Sequence, residues 1–278
     1  MTLELLPLSA KIWLVQMAAF HLIGLGFHWL DTSGRLARYR VRPPERLSYL
    51  QLMPRVLTNQ IVILLPAMMA VEWLGLAFVG TPHIAPIMWL VGMAGMTVGH
   101  DVVQYITHRF ILHRASLMRT LGHSVHHTTA AGRSISACYM SLADYFLEIA
   151  CPYLIPLILI GGGGSDWIFH SVVVTAGAFG GLYEHSGYDF SLAFTRDSTA
   201  TGWRAKRNAI LAHMISSKAH GEHHTRGNVS FSDGFGSSDI CDTVMKTRWD
   251  LVGERKRQRV RDAQPDGAPA SAREALPH

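Results

Sequence analysis

Eight of the sixteen histidines in this chain fall into three short groups. His123-Ser124-Val125-His126-His127 and His220-Gly221-Glu222-His223-His224 repeat one spacing, and His108 and His113 lie five residues apart. On a helix, positions i, i+3 and i+4 share a face, so each five-residue group is expected to aim three imidazoles at one point. His108 and His113 need a helix end or a bend to converge. A single histidine is ordinarily a surface or satisfied core residue, but two copies of one five-residue pattern exceed what chance placement gives. The chemistry that uses imidazoles in this number is metal binding. A first-row ion takes four to six ligands. With His185 counted, nine imidazoles therefore imply two ions, with positions left open for oxygen or water.

These groups must be positioned by a scaffold of unusual composition. Of 278 residues, 49% are hydrophobic and only 16% charged, where a soluble domain carries about 25%. Five apolar stretches, near 11–30, 56–80, 84–107, 141–160 and 166–187, reach the ~20 residues that a membrane helix needs. The third is interrupted by His100, Asp101 and Gln104. The expected fold is an all-α integral-membrane bundle of four to five transmembrane helices under a cytoplasmic, histidine-rich helical cap. It fills residues 1–254, and the basic, Pro- and Ala-rich residues 255–278 form a disordered tail.

Basic residues divide the connections. Arg35, Arg38, Arg40, Arg42 and Arg46 fill the 31–55 loop, and Arg109, Arg114, Arg119 and Arg133 the 108–140 loop, while 80–83 and the tetraglycine 161–164 carry no Lys or Arg. The positive-inside rule puts the basic loops and the region after 188 on the cytoplasmic side. All nine histidines then reach the same side from four separate segments. The net charge of +5 is expected to meet anionic headgroups, not nucleic acid. Met1 to Ala10 carries Glu4 and no basic region, unlike a cleavable signal peptide. Cys138, Cys151 and Cys241 show no paired spacing, so no disulfide framework is expected. The tetraglycine reads as a short flexible connection.

Ligand type alone leaves the metal open among zinc, copper, iron and nickel. A site with apolar walls sees acyl chains or sterols, whose C–H bonds call for a redox metal and O₂. Zinc hydrolysis would want a general-base carboxylate near the ligands, and no His-Glu-x-x-His occurs; Glu222 would project away from its neighbours. A membrane b-type cytochrome would place axial histidines at membrane depth. A metal transporter would line a path between leaflets.

The ordered pattern Asp101-x-x-x-Tyr105-x-x-His108-Arg109-x-x-x-His113, His123-x-x-His126-His127, Glu184-His185-Ser186-Gly187 and His220-x-x-His223-His224 resembles the fatty acid hydroxylase / sterol desaturase superfamily over roughly residues 90–250. The resemblance implies two iron ions that use O₂ and two electrons to hydroxylate or desaturate a membrane lipid. His108, His113, His123, His126, His127, His220, His223 and His224 would be ligands, with His185 a ninth. The Asn228-Val229-Ser230 and Ser238–Thr243 stretches depart from the family's usual endings, while His185–Asp189 leans toward its sterol-acting branch. With no His-Pro-Gly-Gly segment, electrons would come from a separate donor, a cytochrome b5-like protein or a ferredoxin with its reductase.

Among the remaining polar residues, Asp101 and Tyr105 lie at i, i+4 on the face leading to His108. Asp101 is expected to accept an imidazole N–H and so orient a ligand, or else to hydrogen-bond within the bundle. Asp144 reads as a helix N-cap or a substrate contact. His21, His28 and His100 read as packing or interface residues, and Arg109 and Arg114 as interfacial charge. His170 and His213 are the only candidates for a further histidine near the third group, at unpromising spacings.

Overall fold

The computed structural model describes residues 5–196, 199–232, 234 and 236–253, so the tail 255–278 lies outside the described residues. Over the described residues the chain is helical, with no strand and two isolated bridges, Arg40–Tyr188 and Gly132–Ser186. Nine helices matter here. They are α1 Leu8–Ser33, α2 Tyr49–Trp73, α3 Pro86–Tyr105, α4 His123–His126, α5 Leu142–Leu159, α6 Trp167–Glu184, α7 Gly202–Ile215, α8 Lys218–Arg226 and α9 Ile240–Val244.

Each of the five apolar stretches is a helix. Three of them, α1, α2 and α5, are long and apolar enough to cross a membrane. The other two are diluted, α3 by His100, Asp101 and Gln104 and α6 by His170, Thr175 and Glu184. Leu22, Leu25, Trp73, Leu90, Leu159 and Ile168 are exposed on the outside of the bundle. A soluble monomer rarely leaves so much apolar helix surface uncovered. Inside, α1 packs along α6 and the second half of α2, and α3 packs along α5. Tyr49, Tyr145, Phe169, Tyr183 and Tyr188 are fully buried between them.

Three helices carry a stretch of π-helix: Gln60–Leu64 in α2, Ile106–Leu112 following α3, and Phe146–Ala150 in α5. Such stretches insert a residue into the helical register and often mark functional sites. The first turns Gln60 toward α1, where its side chain bonds His21 at 3.0 Å and its carbonyl accepts from Trp13. His28 stacks on Tyr49, so both early histidines serve packing within the bundle.

The two ends of the bundle are built differently. At one end the 74–85 connection meets the tetraglycine, with Phe78 N donating to Gly162 O and Ser165 N to Thr81 O. Gly161 to Gly164 all have positive φ, from 61 to 91°, a run of left-handed backbone that residues with a Cβ avoid. It is a defined turn, where a flexible connection is expected from sequence. Asp166 adds a clamp, accepting from Ile168 N and Phe169 N at the start of α6 and from Ile84 N across the turn.

All the basic connections gather at the other end. Arg40 pairs with Asp31 at 2.5 Å and donates to Gly132 O at 2.9 Å. Glu45 accepts from Ala130 N and Gly132 N. Arg42 is the centre of this clasp. Its guanidinium donates to Ala131 O at 2.9 Å, Glu184 O at 2.6 Å and Ser217 O at 3.2 Å. It thereby ties the loop after the second histidine group to the end of α6 and the start of α8. Gly221 lets α8 approach, because a methyl there would collide with that guanidinium.

Arg42→Met leaves three carbonyls without their donor, at ~1–3 kcal/mol for each buried one. Because Arg42 is partly exposed, the expected loss is about 2–3 kcal/mol in all. Thermal unfolding in detergent should show the loss. Arg42→Lys, which cannot donate in three directions from a planar fork, should recover less than half of it.

Candidate metal centre

The π-helical stretch after α3 solves the spacing of His108 and His113. His113 N donates to His108 O at 2.9 Å, an i to i+5 bond that puts residues five apart on one side of the helix. α4 supplies His123 and His126, with His127 as its C-terminal cap. His185 caps α6, and α8 carries His220, His223 and His224.

All nine imidazoles come together, in two sets. His108, His113, His123, His127 and His223 form one, and His126, His185, His220 and His224 the other. The expectation that each five-residue group serves one point is therefore corrected. In both groups the i, i+4 pair enters one set and the i+3 histidine enters the opposite one. The reason is angular: on a helix, i+3 and i+4 diverge by about 100°, so adjacent imidazoles such as His126 and His127 separate once the target is close.

Within each set the Nε2 atoms face one another. His113 Nε2 lies 3.0 Å from that of His123, 3.2 Å from His127 and 3.1 Å from His223. His220 Nε2 lies 2.9 Å from His185 and 3.1 Å from His224, and His126 Nε2 is 3.3 Å from His185. Outward-facing Nδ1 atoms fix the tautomers. Nδ1 of His108 donates to Phe231 O at 2.7 Å, that of His223 to Val229 O at 2.8 Å, that of His224 to Thr129 O and that of His185 to Gly181 O, both at 3.0 Å. His123 Nδ1 donates to Asp144 Oδ1 at 2.9 Å. An imidazole that donates through Nδ1 keeps a bare lone pair on Nε2. His108 and His123, both fixed in this way, hold bare Nε2 atoms 3.2 Å apart. Two lone pairs at that distance repel unless a cation lies between them.

The sets fit metal ions. With metal–nitrogen bonds of about 2.1 Å, neighbouring ligands are about 3.0 Å apart at right angles and about 3.4 Å apart in a tetrahedron. The observed 2.9–3.3 Å falls on that scale. Burial and neighbouring imidazoles also hold the rings neutral, as ligands must be. Burial and then His123 push His113 down to about 3 and His127 down to about 4, while burial followed by His127 holds His223, and burial followed by His220 holds His224, well below the usual range.

Carboxylates surround the imidazoles, though not the one expected. Asp101 touches no imidazole. Its two oxygens accept from Ser232 Oγ and Ser238 Oγ, each at 2.5 Å, and from Ile240 N and Cys241 N at 2.9 and 3.3 Å. It anchors the segment leading into α9, and Asp242 holds the same segment by accepting from Phe231 N and Ser232 N. Phe231 O then fixes His108. Tyr105 bonds Thr247 and Arg109 and meets Phe231 edge-on. Asp101 and Tyr105 thus act one step removed, through position 231.

The acid that does hold an imidazole is Asp144. It is not the N-cap: Ser141 caps α5 by accepting from Asp144 N. The reading of the sequence missed Glu148, one helical turn on and buried, whose carboxylate lies 3.3 Å from His123 Nδ1. Its signal was an acid inside the fourth apolar run, costly there unless partnered. Glu148 thus puts beside the rings the kind of carboxylate that zinc hydrolysis would want. Glu222 points away and pairs with Arg226. His170 bonds Gly164 O at the opposite end, and His213 pairs with Asp239 at the surface, so neither joins a set. His100 is exposed.

A family model described as fatty acid hydroxylase matches residues 93–247, more than half of the 278-residue chain. No curated protein and no solved structure matches.

Asp144→Asn should weaken metal binding 10–100-fold, as loss of a ligand's carboxylate partner does; a competitive chelator titration measures it. Asp101→Asn should lower the unfolding temperature and change that affinity less than threefold. The neutral rings also set a pH dependence. An unfolded chain takes protons onto these histidines below pH ~6.5, whereas the folded one resists until about 4 at His127 and 3 at His113. The unfolded state then binds more protons, so stability falls as pH drops through this window. Melting the metal-free protein from pH 7 to 4 should show a steady decline.

Proposed function

The chain belongs to the fatty acid hydroxylase family, and from that premise we propose that it is a membrane-bound, O₂-dependent di-iron oxidoreductase. Its reaction is hydroxylation or desaturation of a C–H bond in a membrane lipid such as a sterol or fatty acyl chain. The observation that carries this reading is the convergence of nine Nε2 atoms into two sets beside apolar helices.

One ion would be held by His108, His113, His123, His127 and His223, the other by His126, His185, His220 and His224. Two irons with O₂ and two external electrons supply the oxidising power that an unactivated C–H bond requires. The protein's part is to fix the rings through their Nδ1 donors, keep them neutral by burial and admit lipid from the bilayer. Five imidazoles in one set exceed the four ligands of a structural zinc site, which favours a metal of higher coordination. The Nε2 atoms also stand too close to bracket a porphyrin. On this reading the metal centre lies on the cytoplasmic face of a multi-pass protein. A separate cytochrome b5-like protein, or a ferredoxin with its reductase, delivers the electrons.

Protein purified in nanodiscs and loaded anaerobically should hold two irons per chain and show no Soret band. His113→Ala and His224→Ala should each retain one iron and lose lipid oxidation by at least 10³-fold, followed by mass spectrometry of lipids from expressing cells. Full oxidation with only one iron bound would overturn the assignment.

A further inference from the structure

One side of α7 is covered by the protein and the other is not. Asn208 and Ala212 are buried on the inner side, and the helix packs along Leu192–Thr195. On the outer side Trp203 is 75% exposed, and Ile210 and Met214 are exposed as well. At 3.6 residues per turn these three fall within about 40° of arc, a narrow apolar stripe pointing away from the protein. Lys206 and Arg207, both exposed, border the stripe on its two sides. No Asp or Glu occurs anywhere in α7.

Two contacts fix where this helix lies. Tyr183 Oη donates to Ile215 O at 2.7 Å, which ties the end of α7 to α6. His213 Nε2 pairs with Asp239 Oδ2 at 2.7 Å, which ties it to the start of α9. α9 in turn packs on α3 at the level of Asp101, whose carboxylate accepts from Ile240 N. Asp101 precedes His108 by about two helical turns on the way out of the apolar bundle. α9 and the end of α7 therefore sit toward the bundle and not on the far side of the histidines. The outer surface beside them stays apolar, with Ile240 and Val244 exposed on α9 and Val98, Val102 and Ile106 exposed along α3 and just beyond it.

An apolar stripe that continues the outer surface of a membrane bundle meets lipid. Tryptophan favours the headgroup level, and Lys and Arg beside an apolar face extend their charges into the same layer. A helix with apolar residues bordered by cations lies in the plane of the interface and is drawn to anionic lipid. We infer that α7 is such an in-plane helix. Trp203, Ile210 and Met214 enter the headgroup layer at the histidine end of the bundle, and Lys206 and Arg207 hold anionic phospholipid headgroups there. This role needs the bundle to be in a membrane and is independent of the metal chemistry. Through His213 and Asp239 the lipid-bound helix also braces α9, whose Asp242 holds the backbone at Phe231.

The test uses full-length protein in phosphatidylcholine nanodiscs that contain a minor fraction of brominated lipid, either phosphatidylcholine or phosphatidylglycerol. The signal of Trp203 is the fluorescence lost in Trp203→Phe. Brominated acyl chains should quench it, and brominated phosphatidylglycerol should quench at least twofold more than brominated phosphatidylcholine at the same mole fraction. Lys206→Gln/Arg207→Gln should keep the quenching and lose the preference. Quenching by aqueous acrylamide but not by brominated lipid would overturn the inference and leave the stripe to water or a soluble partner. Equal quenching by the two lipids in wild type would overturn the headgroup assignment. Should Trp203→Phe fail to fold, hydrogen exchange of wild type decides. Residues 202–215 should exchange more slowly in discs containing phosphatidylglycerol than in pure phosphatidylcholine, and identical exchange would overturn the inference.

Discussion

Bare nitrogen lone pairs held about 3 Å apart are the constraint on which the rest of this structure depends. Imidazoles so placed repel unless cations draw them together, and every Nδ1 contact described above turns a lone pair inward. Much of the fold reads as apparatus for holding that arrangement. The carbonyls of Phe231, Val229, Thr129 and Gly181 come from four different segments. Each can orient a ring only if its own segment is pinned. Asp101 and Asp242 pin the stretch around Phe231, and Arg42 pins the loop after Thr129 and the start of α8. Polar groups at the apolar bundle's end are thus tied to the histidine sets through the backbone more often than by direct contact.

The participants were legible in the sequence, and their partition was not. Histidine type and repetition identify eight of the rings, because so dense a set of one rare residue has few uses, and the ninth, His185, follows from its place after the fifth apolar run and from the family resemblance. Which ring joins which set depends on the divergence of i+3 from i+4 at short range and on how two short helices face each other. Spacing alone carries no such information. The five-residue gap between His108 and His113 is an instance: it looks like a defect in an α-helix and becomes regular once the backbone is π-helical.

The carboxylates show the opposite weakness. Asp101 drew notice for its place on the face leading to His108, but it spends its oxygens on serine hydroxyls and on the backbone entering α9. Asp144 and Glu148 sit at the start of a clean apolar run and are separated from the rings by a stretch of loop. Only folding brings α5 beside α4. Arg42 was one arginine among five in a basic loop, and charge counting gave it a membrane role. Its three backbone acceptors are up to 175 residues away, a distance no local pattern reaches. The apolar stretches were read at nearly their observed positions, since hydropathy is a local property. How many of them cross a bilayer depends on the polar residues that α3 and α6 carry.

The division of each five-residue histidine group between two metals is central to this account. An experimental structure of the iron-loaded protein, with anomalous scattering recorded at the iron edge, addresses it directly. Two peaks are predicted, one among His108, His113, His123, His127 and His223 and the other among His126, His185, His220 and His224. A single peak, or one ion bound by His123, His126 and His127 together, would contradict the account.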